Sequence, residues 1–163
     1  MNPKTDGRSQ ETQIAEREIT TIAPKRQGFG AGSKILTLTG ERDVSDLKPG
    51  DKIITRDTGT AVLVSVTQRQ STDNHIKIKA GSLGSTRPDK DMVVAPDTEI
   101  LIRDWRAQAL FGQVQALIRA SRLVDGEFIS SSGDDTDSNT YQLGFDSQHI
   151  LYVDGIEVAS QTA

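Results

Sequence analysis

Short apolar runs separated by turn residues are the feature that most constrains the fold of this chain. In the segment 62–67 every second residue is a valine, and two isoleucines alternate with lysines in the segment 76–79. A period of two places successive side chains on opposite faces of a strand. We therefore expect one apolar face to line the core of a β-sheet, made of Val62, Val64, Val66, Ile76 and Ile78.

The same rhythm continues along the chain and predicts an all-β fold. Further strands are predicted at residues 35–38, 53–55, 92–95, 100–102, 141–145 and 150–153. Only the segment 104–118 has helical spacing of its apolar residues. Asp104 can cap a short helix there, and Gly112 can stop it after Phe111. A strand over residues 116–118 is expected to follow.

Length and composition favour a single strand-rich domain with a polar arm. The chain has 163 residues, of which 34% are hydrophobic and only 4% aromatic, so it has little material for a thick helical core. Residues 1–27 are mostly polar, which predicts a flexible N-terminal arm before a β domain over residues 28–163. We expect neither a signal peptide nor a transmembrane segment, and hence a cytoplasmic location by default.

The absence of cysteine and the mild acidity exclude several functions. Without cysteine there is no disulfide, no zinc-thiolate site and no thiol nucleophile. A formal net charge of -4 without a Lys/Arg cluster argues against nucleic acid and anionic membranes as partners, since both attract clustered cations. A protein partner remains compatible with the composition, and no cofactor is expected.

Two segments of the chain echo each other. Residues 47–53 and 123–129 share the pattern Leu-x-x-Gly-acid-x-Ile, in which glycine permits a turn before a new strand. The repetition predicts two related β subdomains, with Leu47 and Leu123 in equivalent buried turns.

An ordered set of short motifs resembles the Hint domains of Hedgehog proteins and inteins, most closely the stand-alone bacterial ones. The motifs are Gly-Phe-Gly-Ala-Gly-Ser-Lys-Ile at 28–35, Val-Ser-Asp-Leu-Lys-Pro-Gly-Asp at 44–51, Ile-Lys-Ala-Gly-Ser-Leu-Gly at 78–84, Leu-Phe-Gly at 110–112, Leu-Val-Asp-Gly at 123–126 and the segment 146–155. The resemblance covers residues 28–160 and implies a β horseshoe of two subdomains related by a pseudo-two-fold axis.

The resemblance also implies a chemistry whose residues this chain lacks. Such domains begin with a thiol or hydroxyl nucleophile that attacks the preceding carbonyl. Gly28 stands at that position, Thr98 stands where the family has a histidine, and Gln148 stands at a second family histidine. Three departures together predict a degenerate domain without autoprocessing activity, which acts as a structural or binding module.

The alternative is a self-processing domain that cleaves near Gly28 with a hydroxyl and His149. Ser33 is the nearest candidate hydroxyl, although a turn role is expected for it. His149 follows Gln148 by one residue and could pair with Asp146, but no nucleophile for a triad is evident from the sequence. His75 is expected to be a solvent-facing turn residue.

Other motifs predict no metal or cofactor site. Asp134, Asp135, Asp137 and Asn139 resemble the start of a calcium loop, but Thr140 replaces the required glycine, and a solvated hairpin tip is expected. The Gly-x-Gly-x-Gly run at 28–32 precedes a strand, whereas a dinucleotide site needs a helix there. Arg119 and Arg122 are too few for a phosphate site.

Overall fold

A computed structural model describes residues 27–71, 74–84, 86–131 and 138–163. Within these ranges the chain forms helix α1 (Trp105–Phe111) and 3₁₀ turns at Val44–Asp46 and Ala120–Leu123. The strands are β1 (Phe29–Gly30), β2 (Lys34–Thr37), β3 (Gly40–Asp43), β4 (Lys52–Thr55), β5 (Gly59–Val62), β6 (Ser65–Ser71), β7 (Ile76–Ile78), β8 (Met92–Val94), β9 (Glu99–Ile102), β10 (Ala116–Arg119), β11 (Ile129–Ser131), β12 (Ser138–Phe145), β13 (Ile150–Val153), β14 (Ile156–Ala159) and β15 (Gln161–Thr162).

The strands form two sheets, which confirms the predicted all-β fold. The first sheet has the order β11-β7-β8-β1-β12-β15, with β6 also paired to β12. The second has the order β10-β9-β14-β13-β2-β4-β5, with β3 paired to β2. Both are antiparallel except for the parallel pair of β12 and β15. Because β1 and β2 belong to different sheets, the segment between them connects the two.

The core follows the predicted alternation in one region and departs from it in another. Ile76 and Ile78 are buried, as expected, and Val66 packs against the core. Val62 and Val64 are 52% and 49% exposed, so the prediction that they line the core is wrong. The buried side chain in that segment is Leu63, whose N–H donates to Asp51 O at 2.8 Å. This residue lies between β5 and β6, where the regular alternation is interrupted.

Helix α1 begins and ends where the sequence predicts. The Asp104 carboxylate accepts a hydrogen bond from the Arg106 N–H at 2.9 Å and thus caps the first turn. Gly112 ends the helix with φ 65°, a left-handed conformation that glycine adopts without steric cost. The following strand β10 pairs with β9, in register from Ala116 opposite Ile102.

The two echoed segments occupy similar local structures. Leu47 directly follows the first 3₁₀ turn, and Leu123 is the last residue of the second. Both leucines are buried. Gly50 and Gly126 both have positive φ, at 99° and 81°. The repeated sequence pattern therefore corresponds to a repeated turn with a buried leucine anchor.

Three expectations concern residues that lie near the ends of the described ranges or outside them. His75 is buried beside β7, so the prediction of a solvent-facing turn residue is wrong. Within the predicted arm 1–27, only Gln27 is described, and its side-chain amide donates to Asp97 O at 3.4 Å. The acidic loop of Asp134, Asp135 and Asp137 lies outside the described residues.

Candidate functional site

The backbone of Gly28 is held against Thr98. The Gly28 N–H donates to Thr98 Oγ1 at 3.0 Å, and the same hydroxyl donates to Gly28 O at 3.1 Å. Gly28 O also accepts from Ala95 N at 3.0 Å. Thr98 is buried and ends the turn before β9, while Gly28 leads into β1. The structure thus brings together two positions that the sequence resemblance pairs.

The conformation of Gly28 leaves no comfortable place for a side chain. Its φ is 150°, which residues with a Cβ rarely adopt. A Cβ there would lie 3.0 Å from the carbonyl oxygen of Tyr141 and 3.4 Å from the Cβ of Thr140. Both atoms belong to β12, which pairs with β1. Any larger residue at position 28 therefore requires the backbone to shift.

Little open space surrounds this position. The cavity beside Gly28 has a volume of about 10 Å³ and is also lined by Thr98, Gln142, Ser160 and Gln161. That volume is about the minimum that holds one water molecule. The chain's C-terminal residues thus close the site over Gly28, and an organic ligand does not fit without rearrangement.

Gln148 and His149 point to different environments. Gln148 is exposed, whereas His149 is buried between β12 and β13. The His149 N–H donates to Ser160 Oγ at 2.9 Å, and the ring packs edge-on against Phe145 with centroids 5.6 Å apart. Neither residue lines the cavity beside Gly28.

The carboxylate partner of His149 is Asp57, which sequence reasoning missed. Asp57 Oδ2 lies 2.9 Å from His149 Nδ1, and Asp57 Oδ1 accepts from Ile150 N at 3.0 Å. The predicted partner Asp146 is 88% exposed, and its Oδ1 lies 3.9 Å from Nε2. Partial burial raises the pKa of Asp57, but the bonds from Ile150 and His149 outweigh it and leave this pKa below its ordinary value. In the sequence, Asp57 is visible only as a turn residue after β4.

Ser33 occupies a turn between β1 and β2. Its N–H donates to Gly30 O at 3.2 Å, and its carbonyl accepts from Val44 N at 2.8 Å. The residue is buried, and it does not line the cavity beside Gly28. These backbone contacts agree with the turn role expected for it.

The remaining candidates are the possible metal ligands and the two arginines considered for a phosphate site. Among the described residues no group of three or more histidine, aspartate or glutamate side chains is placed to hold a metal ion. The Arg122 guanidinium lies over the Phe111 ring, 5.0 Å from its centroid, and Arg119 is the exposed last residue of β10. In the described part of the chain, no helix has the length and apolar character needed to cross a bilayer.

Solved structures with the same architecture define the class of protein. The fold is similar to a bacterial intein-like domain from Clostridium thermocellum, with a TM-score of 0.61, 19% identity and coverage of 83% of this chain and 99% of that chain. It is also similar to the TvoVMA intein (TM-score 0.59, 11% identity, 83% and 98% covered). A DnaB intein from Synechocystis matches with a TM-score of 0.56 at 13% identity, covering 83% and 99%. The chain therefore has the intein-type β fold.

The family follows from a second comparison. The family model described as Hint domain matches residues 27–163, which is most of the chain. This chain belongs to the Hint domain family. A search of curated protein sequences finds no match to it.

Proposed function

We propose that this Hint domain does not process itself and serves as a structural or binding module. The observation that carries this is the backbone at Gly28, where the family nucleophile would stand. Its φ of 150° and the Tyr141 carbonyl 3.0 Å from an added Cβ are suited to a residue without a side chain. A glycine thus stands at the position of the family nucleophile, in a backbone conformation that favours glycine.

The surroundings of Gly28 support the same function. Autoprocessing needs a thiol or hydroxyl to attack the carbonyl before residue 28 and an acid to protonate the departing amide nitrogen. The chain contains no cysteine. The Gly28 nitrogen faces the Thr98 hydroxyl, whose proton is donated to Gly28 O, and no imidazole is within that contact. The Gln27–Gly28 bond is therefore expected to behave as an ordinary amide.

Exposed apolar side chains favour a binding role over a purely structural one. Trp105 and Leu110 of helix α1 are 70% and 39% exposed, and both line one surface cavity together with Val124, which is 40% exposed. Apolar groups grouped on one surface are typical of regions that protein partners cover.

Intact mass spectrometry tests the absence of self-processing. The purified 17.7 kDa chain is incubated with hydroxylamine or with a thiol and weighed over time. We expect the mass to stay constant, because no thioester or ester forms at residue 28. Loss of residues 1–27 without a protease would instead establish the alternative, a self-processing domain. In that case Ser33→Ala and His149→Gln should each stop the loss.

A restoration series tests whether the scaffold is a disabled processing domain. Gly28→Cys alone should leave the chain intact, because Thr98, the side chain that contacts both polar groups of Gly28, supplies no imidazole. The triple variant Gly28→Cys, Thr98→His, Gln148→His adds both family histidines. The matched control carries Gly28→Ala with the same two histidines, since alanine introduces the same backbone strain without a thiol. Thiol-dependent cleavage in the triple variant but not in the control would support a lost activity.

A further inference from the structure

Three side chains outside the Gly28 region form a connected chain of polar contacts. Ser147 Oγ lies 3.3 Å from His149 Nε2, and His149 Nδ1 lies 2.9 Å from Asp57 Oδ2. The order of groups is hydroxyl, imidazole and carboxylate, with each ring nitrogen facing a different partner. This is the connectivity by which an imidazole activates a serine hydroxyl.

The backbone fixes the carboxylate and the imidazole relative to each other. Strands β4 and β13 pair with Leu151 opposite Thr55, and Arg56 N donates to Ile150 O at 2.8 Å. Asp57 directly follows this contact, and its second oxygen accepts from Ile150 N at 3.0 Å. The contact between Asp57 and His149 is therefore held by one main-chain bond between the two strands and by a main-chain N–H that binds the Asp57 carboxylate itself.

The contacts also select the tautomer of His149. The lowered pKa of Asp57 keeps its carboxylate ionised at neutral pH, so it can only accept a hydrogen bond. Nδ1 must then carry the proton, which leaves Nε2 free to accept from Ser147. The other polar groups near the ring are Thr58 Oγ1, 3.5 Å from Nδ1, and Asp146 Oδ1, 3.9 Å from Nε2. A positive charge that develops on the imidazole is stabilised by both carboxylates.

Access to the serine is open. Ser147 is exposed, while His149 behind it is buried. An incoming carbonyl can reach Ser147 Oγ from solvent, and the imidazole stays shielded.

We propose that Ser147 is the nucleophile of an acyl-transfer site on this domain, with His149 as its general base and Asp57 as the residue that positions His149. The substrate class is an ester whose acyl carbonyl is presented at the protein surface. This site stands apart from Gly28 and does not depend on whether the domain processes itself.

The reaction is balanced with the ester and water as its only reactants. Ser147 Oγ bonds to the acyl carbon as its proton moves to His149 Nε2, and the ester's carbon–oxygen bond breaks. The proton passes from Nε2 to the departing alkoxide, which leaves an acyl ester on Ser147. Water then attacks the acyl carbon and gives a proton to Nε2, the bond between the acyl carbon and Ser147 Oγ breaks, and Nε2 returns the proton to Oγ as the acid product is released.

Covalent labelling with a fluorophosphonate tests the nucleophile. Ser147 Oγ bonds to phosphorus, fluoride leaves, and the serine proton passes through Nε2 to solvent. We expect one phosphonyl group per chain, located on Ser147 by peptide mass spectrometry. Ser147→Ala should abolish labelling. His149→Gln should slow it about 100-fold or more, the usual contribution of a general base.

Ser45→Ala is the matched control. Ser45 is exposed, and its Oγ donates to Asp43 Oδ1 at 2.8 Å, so it has a carboxylate neighbour but no imidazole. Labelling of Ser45→Ala should equal that of the unmodified chain. Release of p-nitrophenol from p-nitrophenyl acetate provides a second readout, and it should be lost in Ser147→Ala and kept in Ser45→Ala.

Asp57→Asn tests the positioning role with a spectroscopic signature. The variant's side-chain oxygen can still accept from Ile150 N, but its NH₂ group would donate to His149 Nδ1 and move the ring proton to Nε2. Nitrogen NMR of the ring should show this change of tautomer, with His75, the only other histidine, as the internal reference. Labelling of Ser147 should fall in parallel.

Two results would overturn the proposal of an acyl-transfer site at Ser147. One is labelling that is no slower in Ser147→Ala than in Ser45→Ala. The other is an Asp57→Asn variant whose ring tautomer changes while labelling of Ser147 continues at the original rate. Neither result bears on cleavage at Gly28, which is measured by intact mass.

Discussion

The hydroxyl of Thr98 connects both polar groups of Gly28, accepting from its N–H at 3.0 Å and donating to its carbonyl at 3.1 Å. Both residues are buried, and they lie 70 positions apart in the sequence. One hydroxyl thus joins the start of the domain to the turn before β9.

Thr98→Val tests the stabilising value of this contact. Valine keeps the shape of threonine but leaves the buried Gly28 N–H without its acceptor, so we expect a loss of about 1–3 kcal/mol. The free energy of unfolding is measured by urea titration. Thr60→Val, at an exposed position of β5, is the control and should change stability by less than about 0.5 kcal/mol. Equal effects at both positions would show that the contact contributes nothing.

Leu63→Ala tests which face of segment 62–66 is buried. Leu63 is almost fully buried, so its truncation should cost about 2–5 kcal/mol through lost burial and a residual cavity. Val64→Ala is the neighbouring control and should cost less than about 0.5 kcal/mol because Val64 is half exposed. Ile78→Ala, on buried β7, should resemble Leu63→Ala. The reverse ranking of Leu63 and Val64 would restore the face predicted from the valine repeat.

Asp154→Asn tests a buried carboxyl that opposes folding once it ionises. Burial raises the pKa of Asp154, with further increases from Glu41 and Asp89, while the Lys34 N–H bond and the Lys90 charge lower it. The native state therefore holds this proton more tightly than the unfolded chain, and stability falls as pH rises through the raised pKa. Asparagine also suits the left-handed φ of 50° at this position.

The free energy of unfolding of the asparagine variant should exceed that of the unmodified chain by an amount that grows as pH rises from acidic to neutral. At low pH the two free energies should converge. Urea titrations from pH 4 to pH 8 measure the difference. Asp46→Asn, at an exposed carboxyl, should show no such growth. A variant less stable than the original at pH 8 would mean that the contact of Asp154 with Lys90, at 3.9 Å, outweighs the burial cost.

Arg56→Met and Arg103→Met together test the buried carboxylate of Glu157. Glu157 lies on β14 and is buried between the two arginines, with Arg56 Nε 2.5 Å from Oε2 and Arg103 bonded to Oε1. Each single variant leaves one cation beside the carboxylate, but the double variant leaves it unpaired. We therefore expect the double variant to lose about 1 kcal/mol more than the sum of the singles. Arg42→Met breaks a more exposed pair with Asp51 and should cost little. Additive losses would contradict this shared role.

Strand positions were predictable because the alternation of apolar residues is a local property of the chain. The helix ending at Phe111 was predictable for the same reason, since its cap and its terminating glycine are adjacent in sequence. The buried face of segment 62–66 was not, because Leu63 lies in the break between β5 and β6. There its backbone bonds with Gly50 and Asp51, rather than the strand period, decide its orientation.

Some residues of the candidate sites could be predicted from the sequence, and others could not. Gly28 and Thr98 could be paired through the resemblance to Hint domains, which carries information that spacing alone lacks. Asp57 could not be assigned to His149, because the two are 92 positions apart and meet only through the pairing of β4 with β13. The sequence also does not point to Ser147, because its proposed role as a nucleophile depends on the contact between Asp57 and the imidazole of His149.

The position of β12 has a consequence for the order in which this domain can form. Strand β12 pairs with β1, β6 and β15, so it bridges the beginning, the middle and the end of the described chain. During synthesis the early strands β1 and β6 emerge long before the strand that joins them. Closing such distant contacts is slow, and the unpaired edges are exposed until it happens. The domain is therefore expected to complete its folding only after its last strands leave the ribosome, and until then its unpaired strand edges can pair with other chains.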